Sequence, residues 1–322
     1  MDRLPAPLAA VAAQLQQSLA ETISHPSGRF FWPGLLCALA IMALAHATRP
    51  DWRQRWSPGG NILAFCFPPA LYRHRSTFLD LRLNLLHLLL KPAYSLALRL
   101  NLAWFTALIA GALAALLGPS PAAFTWTMPV IAGFSLLVAL SDDLGYWLWH
   151  ILAHKHPLLW RIHRVHHEAE VLTPLAAGRE HPIEVVLMPL VRAATTALLA
   201  GPALYLSGAE PRVLTLFGIA LIPALFALPL QQLSHAHLPI AWPPWLNHIL
   251  ICPATHHLHH SSDPRHHDRN MGGLFALWDW LFGTLILPTP NQPLTFGLTN
   301  TPEPPPHTLR AALLAPFQKP RH

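Results

Sequence analysis

The sequence predicts an all-α fold: an integral membrane helical bundle of about four to five spanning helices in hairpins, carrying a cytoplasmic His-rich helical cap. Three observations predict it. Of the 322 residues, 52% are hydrophobic and 11% are charged, against about 25% charged in a typical soluble domain, and the mean hydropathy is +0.34. Apolar runs recur near the length that crosses a bilayer, about 20 residues, and no strand-like alternation of any length accompanies them. Finally, 22 histidines outnumber both the 21 Lys plus Arg and the 15 Asp plus Glu. A disordered chain is excluded by this composition. A large soluble helical bundle is the alternative, disfavoured because the runs are long and nearly free of charge.

Each element follows in order. Residues 1–28 are Ala/Gln-rich and weakly amphipathic, with Asp2 and Glu21 and no convincing leader, and read as a tail or surface helix. Region 29–100 begins with an apolar span at 30–47. Arg49, Arg53, Arg55, Arg73, Arg75 and Arg82 follow against Asp51 and Asp80, which makes that segment cytoplasmic by the positive-inside rule. Residues 83–100 are apolar but interrupted by His87, Lys91, Pro92 and Arg99, and read as interfacial. Region 101–287 holds spans at 101–117, 128–149, 183–206 and 213–233. The uncharged loop 118–127 suits the opposite side, and Lys155, Arg161, Arg164 and Arg179 mark a return to the cytoplasm. Two membrane hairpins then deliver the His-rich segments to one face. Residues 288–322 are a Pro-rich strap. The net charge of +6 fits arginines facing anionic headgroups rather than nucleic acid. Cys37, Cys66 and Cys252 are isolated, with neither a disulfide framework nor a thiolate metal motif.

Sixteen histidines lie between His150 and His267. His150 and His154 are four apart; His163, His166 and His167 form an HxxHH, and His256, His259 and His260 form a second. Positions i, i+3 and i+4 share a helical face, so each box is expected to aim its imidazoles at one point. His235, just beyond the end of an expected span, is the ninth candidate. Imidazole suits iron, zinc, copper and nickel, and eight or nine convergent rings are too many for one four-coordinate zinc. They suit two metals, and iron is favoured because it can activate O2 for C–H oxidation, which acid–base side chains alone do not perform. His156, His248, His257, His266 and His267 fall off the spacing, and His25, His46, His74, His87, His307 and His322 are scattered. Metal-bound imidazole commonly donates its second N–H to a carboxylate. Asp143, seven residues before His150, is the first candidate for that role; Asp279, between Trp278 and Trp280, is a second with a helix cap as its alternative, and Glu184 is a weaker third.

Several stretches resemble the fatty acid hydroxylase / sterol desaturase superfamily. They are DDLGYWLWHILAHKHPLLWRIHRVHH (142–167), PATHHLHHS (253–261) and NMGGLFALWDWLFGT (270–284), with FPPALYRHRSTFLDLRLN (67–84) similar to a segment found in bacterial members. The resemblance covers roughly 67–317 and implies a membrane-bound non-haem di-iron oxygenase that hydroxylates a lipid with O2. The implied ligands are His150, His154, His163, His166, His167, His235, His256, His259 and His260, holding two Fe ions. His181, within GREHPIE (178–184), matches a histidine common in the family and is a metal or outer-sphere candidate. His237 stands in SHAH (234–237), where relatives often read S-H-x-N, and is either an extra ligand or a neutral replacement. Met271 stands where relatives usually carry Tyr.

The implied partners are a lipid from the bilayer and an external electron donor, a ferredoxin or cytochrome b5-type protein with its reductase, since the chain has neither GxGxxG nor CxxCH. The implied location is a bacterial inner membrane, with the His boxes facing the cytoplasm. Desaturation at the same site is the nearest alternative. A metal transporter or storage protein would want polar residues in mid-span, a bis-His haem protein would want His on facing spans, and a zinc hydrolase would want the absent HExxH.

Overall fold

The computed structural model describes residues 6–24, 30–97, 101–216, 219–289, 292–298 and 306–318. The proline run at 301–305 and the scattered His25 and His322 lie outside the described residues. The described chain is mostly helical, with almost no strand. α1 (Ala6–Ser24) packs against α4 (Arg75–Ala97), with Glu21 and Lys91 ion-paired at 2.9 Å. Between them, α2 (Trp32–Thr48) is broken from α3 (Pro50–Trp56) by a 105° bend. Pro50 opens α3, where the missing N–H is no loss, but it obstructs continuation of α2.

The scaffold is three packed helices: α5 (Leu102–Leu117), α6 (Met128–Lys155) and α8 (Pro182–Ser207). α8 lies against both of the others, and glycine makes each approach close. A Cβ on Gly145 of α6 would sit 2.7 Å from the Arg192 Cα, and one on Gly201 of α8 would sit 2.6 Å from the Ile109 side chain. α6 and α8 are long and apolar enough to cross a membrane; α2 with α3 is a third candidate if the bent pair is one span. α5, at 16 residues, is shorter.

The expected span at 213–233 does not form. Its sequence folds instead into a two-strand hairpin, β1 (Thr215–Leu216) with β2 (Ile219–Ala220), followed by the ten-residue α9 (Leu221–Leu230). Pro223, in the first turn of α9, and Pro229, near its end, limit a helix in a run whose hydropathy alone suited a membrane span. α9 packs on α2, and Leu233, Ala236 and Leu238 join Met42 and Phe65 in an apolar core beneath it.

The cap is built from α7 (Pro157–His167), α10 (Pro253–His259) and α11 (Leu277–Leu281), with the loops between. Arg179, counted above among the cytoplasmic cations, is fully buried and carries no topological information. Its guanidinium pairs with Asp80 at 2.9 Å and donates to the Val165 carbonyl and the Ser76 hydroxyl, tying α4 to α7. Burial pushes the Asp80 carboxyl up to about 6 even beside this cation.

Candidate metal centre

His150 and His154 occupy the last turns of α6. The chain reverses at His156, and Pro157 starts α7, which carries His163, His166 and His167 back alongside. α10 is opened by a reciprocal cap: the Cys252 N–H donates to Thr255 Oγ1 at 2.9 Å, and the Thr255 N–H approaches Cys252 Sγ at 3.4 Å. It presents His256 and His259, with His260 at its C-terminal end. His235 comes from the turn after α9.

All nine rings converge, but into two clusters. His150, His154, His163, His167 and His259 form one, and His166, His235, His256 and His260 form the other; within each, the ligating nitrogens lie within 4.8 Å of one another. This corrects the expectation that each HxxHH box aims at a single point. In each box the i, i+4 pair enters one cluster and the i+3 ring enters the other. α7 sends His163 and His167 to the first and His166 to the second, while α10 with its cap sends His256 and His260 to the second and His259 to the first. The two boxes therefore exchange one ring each, which locks the clusters side by side.

Hydrogen bonds orient the rings. His150 donates from Nδ1 to the Met271 carbonyl at 2.7 Å, His259 to the Arg269 carbonyl at 2.8 Å, His163 to Glu184 Oε1 at 2.6 Å, and His154 to Asp268 Oδ1 at 3.3 Å. Each of these oxygens only accepts, so the proton sits on Nδ1 and the Nε2 lone pair faces inward. Among the described residues, the buried Nε2 atoms of His150, His154 and His259 have no partner. In the second cluster the Nε2 atoms crowd together, His256 to His235 at 3.0 Å, His260 to His256 at 3.1 Å and His166 to His235 at 3.3 Å. Nitrogens each about 2.0–2.1 Å from one ion, at right angles, stand about 3 Å apart. Inward lone pairs at that spacing fit a metal ion in each cluster, and they explain why so many unpaired acceptors are tolerated in a dry interior.

Burial also keeps the rings neutral, as metal binding requires. Desolvation, then repulsion from neighbouring imidazoles, pushes His166 down to about 3, and desolvation pushes His259 down to about 4. The same causes hold His167, His256 and His260 well below the ordinary range.

The remaining candidates sit elsewhere. Asp143 reaches no imidazole; its carboxylate accepts the backbone N–H groups of Leu274 and Phe275 at 2.7 and 3.0 Å. Asp279 likewise accepts from the Met271 and Gly272 N–H groups at 2.8 and 2.7 Å, and from Trp147 Nε1 and Thr284 Oγ1. It acts through Met271, whose carbonyl orients His150. His181 belongs to neither cluster. It caps α8, with Nδ1 accepting the Ile183 N–H at 3.2 Å. His237 is also outside both, packed edge-on against Trp56. The carboxylates that do hold imidazoles are Glu184, the weakest of the three sequence candidates, and Asp268, which the sequence reading missed. Asp268 and Asn270 both adopt positive φ, 57° and 54°, a conformation that Asp and Asn tolerate better than most residues; the DRN tripeptide was the one local sign of that bend.

Two cavities adjoin the clusters. A small one of about 80 Å³ lies between them, bounded by His150 and His163 on one side, His166, His235 and His256 on the other, and by Tyr146 and Glu180. A larger one of about 380 Å³ shares Tyr146, Ala177, His235 and His256 with it and extends past Phe226 and Leu230 to the Asp142–Arg192 ion pair of α6 and α8.

Residues 135–284 match the Fatty acid hydroxylase family. The alkylglycerol monooxygenase of Danio rerio is 27% identical over 182 residues, which is 56% of this chain and 34% of that protein. The ornithine lipid hydroxylase OlsE of Rhizobium tropici is 29% identical over 175 residues, 54% of this chain and 47% of that protein. The human alkylglycerol monooxygenase is 27% identical over 168 residues, 51% and 34%. The chain thus spans between about a third and a half of the length of these relatives. No solved structure matches. The matched segment contains all nine clustered imidazoles and both carboxylates that hold them, and over that segment the chain is similar to the fatty acid hydroxylase family.

Proposed function

We propose that the chain is a membrane-bound non-haem di-iron oxygenase that hydroxylates a lipid, with electrons delivered by a ferredoxin or cytochrome b5-type donor and its reductase. The observation that carries this reading is the pair of neighbouring imidazole clusters, five rings and four, sharing two helices. His150, His154, His163, His167 and His259 would hold one iron, and His166, His235, His256 and His260 the other. Bound iron would supply the O2-dependent C–H oxidation that no acid or base in the chain offers.

The chain's own residues do the rest. Glu184 and Asp268 retain the Nδ1 protons of His163 and His154, which keeps Nε2 available. The larger cavity has walls of Ala139, Phe226, Leu230 and Ile251, which suit an apolar chain entering between α6 and α9. That chain would reach the small chamber past Tyr146, His235 and His256, where Tyr146 and Glu180 are placed to hold or pass protons. The basic residues of 49–82 support a cytoplasmic face for the cap, in a bacterial inner membrane.

The test combines metal analysis with lipidomics. Purified full-length protein should carry two irons per chain. Cells expressing it should gain lipid species heavier by one oxygen atom, and His259→Ala should abolish them. Loss of two hydrogens instead would identify a desaturase. Two tightly held zinc ions, with no oxygen consumed after iron reconstitution, would overturn the reading.

A further inference from the structure

A third cavity, of about 210 Å³, lies away from both clusters. Its walls are Trp56 of α3, Leu71, Leu172 and Phe296, and two histidines that belong to neither cluster, His237 and His257, face it with Gln292. Both rings are more than nine-tenths buried, at 8% and 3% exposure. Each is hydrogen-bonded to backbone, His237 at Phe65 and His257 at Ala236 and Ser234. Among the described residues, the Nε2 of each has no partner. The backbone bonds therefore run from Nδ1 to carbonyl oxygens, and each Nε2 presents a bare lone pair. Two buried acceptors at one cavity call for O–H or N–H donors from whatever fills it.

Arg55 adds a charge requirement. It lines the mouth of the cavity, is exposed, and rests over the Trp56 ring at 5.0 Å. It is near enough to His237 to act on it electrostatically. Among the described residues, no carboxylate or thiolate lines the cavity. Two imidazoles beside a guanidinium are a poor cation site, so a third metal is disfavoured. The volume is below the 300–1,000 Å³ usual for a drug-sized ligand, which suits a head group rather than an acyl chain. Under the cytoplasmic orientation proposed above, on which this step rests, the Arg-rich segment 49–82 would set this mouth where anionic membrane lipids gather.

We propose that this cavity is a separate binding site for a phosphoglycerol group, the phosphate meeting Arg55 and the glycerol hydroxyls donating to His237 and His257. The group could arrive as the head of an anionic phospholipid or as a free ester. The site is independent of the metal reading, although His237 and His257 lie within two residues of His235 and His256 in the chain.

Full-length protein in detergent is titrated with sn-glycerol 3-phosphate by calorimetry. In parallel, nanodiscs of phosphatidylcholine with phosphatidylglycerol are analysed by native mass spectrometry for retained lipid. Binding of the free ester identifies a soluble ligand; retention of phosphatidylglycerol alone identifies a lipid head. In whichever arm responds, Arg55→Gln, His237→Phe and His257→Phe should each weaken binding at least fivefold. Arg55→Gln changes only an exposed side chain, so it reports even if the ring substitutions disturb folding. The proposal is overturned if neither arm responds, if Arg55→Gln binds like the parent chain, or if inorganic phosphate binds as tightly as the glycerol ester. It is also overturned if zinc content falls by one ion per chain in the histidine variants with anion binding unchanged.

Discussion

Two carboxylates decide how the imidazoles are presented. Glu184 and His163 are both buried and 2.6 Å apart, and Glu184 also takes the Trp149 indole N–H at 3.3 Å. Asp268 is more exposed, its hydrogen bond to His154 is longer at 3.3 Å, and Lys155 competes for the same carboxylate. Removal of such a partner typically costs about 10–100-fold in metal affinity. Glu184→Ala is therefore expected to fall in that range, and Glu184→Gln, which keeps an acceptor oxygen, to lose much less. Asp268→Ala should lie below Glu184→Ala, because an exposed loop lets water replace the lost oxygen. Iron affinity measured by chelator competition checks the order. Equal affinities in the parent chain and Glu184→Ala would show that His163 is held by packing alone.

At the scale of elements, α6 supplies two imidazoles and α8 supplies Glu184, so the distance between these helices is a property of the site. Gly145 sets it. A methyl group there would meet backbone at 2.7 Å and the Thr195 side chain at 3.1 Å, and backbone does not yield as a flexible side chain does. Gly145→Ala should destabilise the protein by about 1–3 kcal/mol, as overpacking commonly does, and should lower iron content as well. Gly111→Ala on α5, where a Cβ meets nothing within 4 Å, is the control and should do neither. Thermal melts with metal analysis of both variants check this, and unchanged iron in a destabilised Gly145→Ala would uncouple the helix spacing from the site. The same helices show what could be read in advance. The nine imidazoles were legible because i, i+3 and i+4 spacing is a local property of a helix. Their division between two clusters was not, since it depends on how α7 crosses α10, a contact between segments about 90 residues apart. Glu184 meets His163 across 21 residues and Asp268 meets His154 across 114, so neither pairing has a sequence period. Asp143 satisfied the period and still failed, because Leu274 and Phe275 offered backbone donors on the same face. The run at 213–233 misled for a simpler reason: hydropathy ignores Pro223 and Pro229 within it.

The molecule as a whole has a core of neutral imidazole, and this gives its stability a pH dependence of definite sign. His237 and His257 are pushed down to about 4 by desolvation, with His259 at about 4 and His166 at about 3. Above pH about 6.5, the ordinary histidine value, these rings are neutral in both the folded and the unfolded chain and contribute no pH dependence. Below it the unfolded chain takes up protons that the buried rings refuse. Folding stability therefore falls with falling pH, by about 1.4 kcal/mol per pH unit for each such ring. The loss levels off only near pH 4, where the folded rings protonate as well. Metal-free protein in detergent should accordingly show a falling Tm from pH 6.5 to 4 and an almost level one from 6.5 to 8. His237 and His257 lie outside both clusters, so their share of the slope does not depend on metal loading. His257→Phe should remove one ring's share and flatten the acid limb in metal-free and iron-loaded protein alike. A Tm independent of pH across the acid window, or a slope unchanged in His257→Phe, would mean that water reaches these rings and lets them protonate in the folded chain.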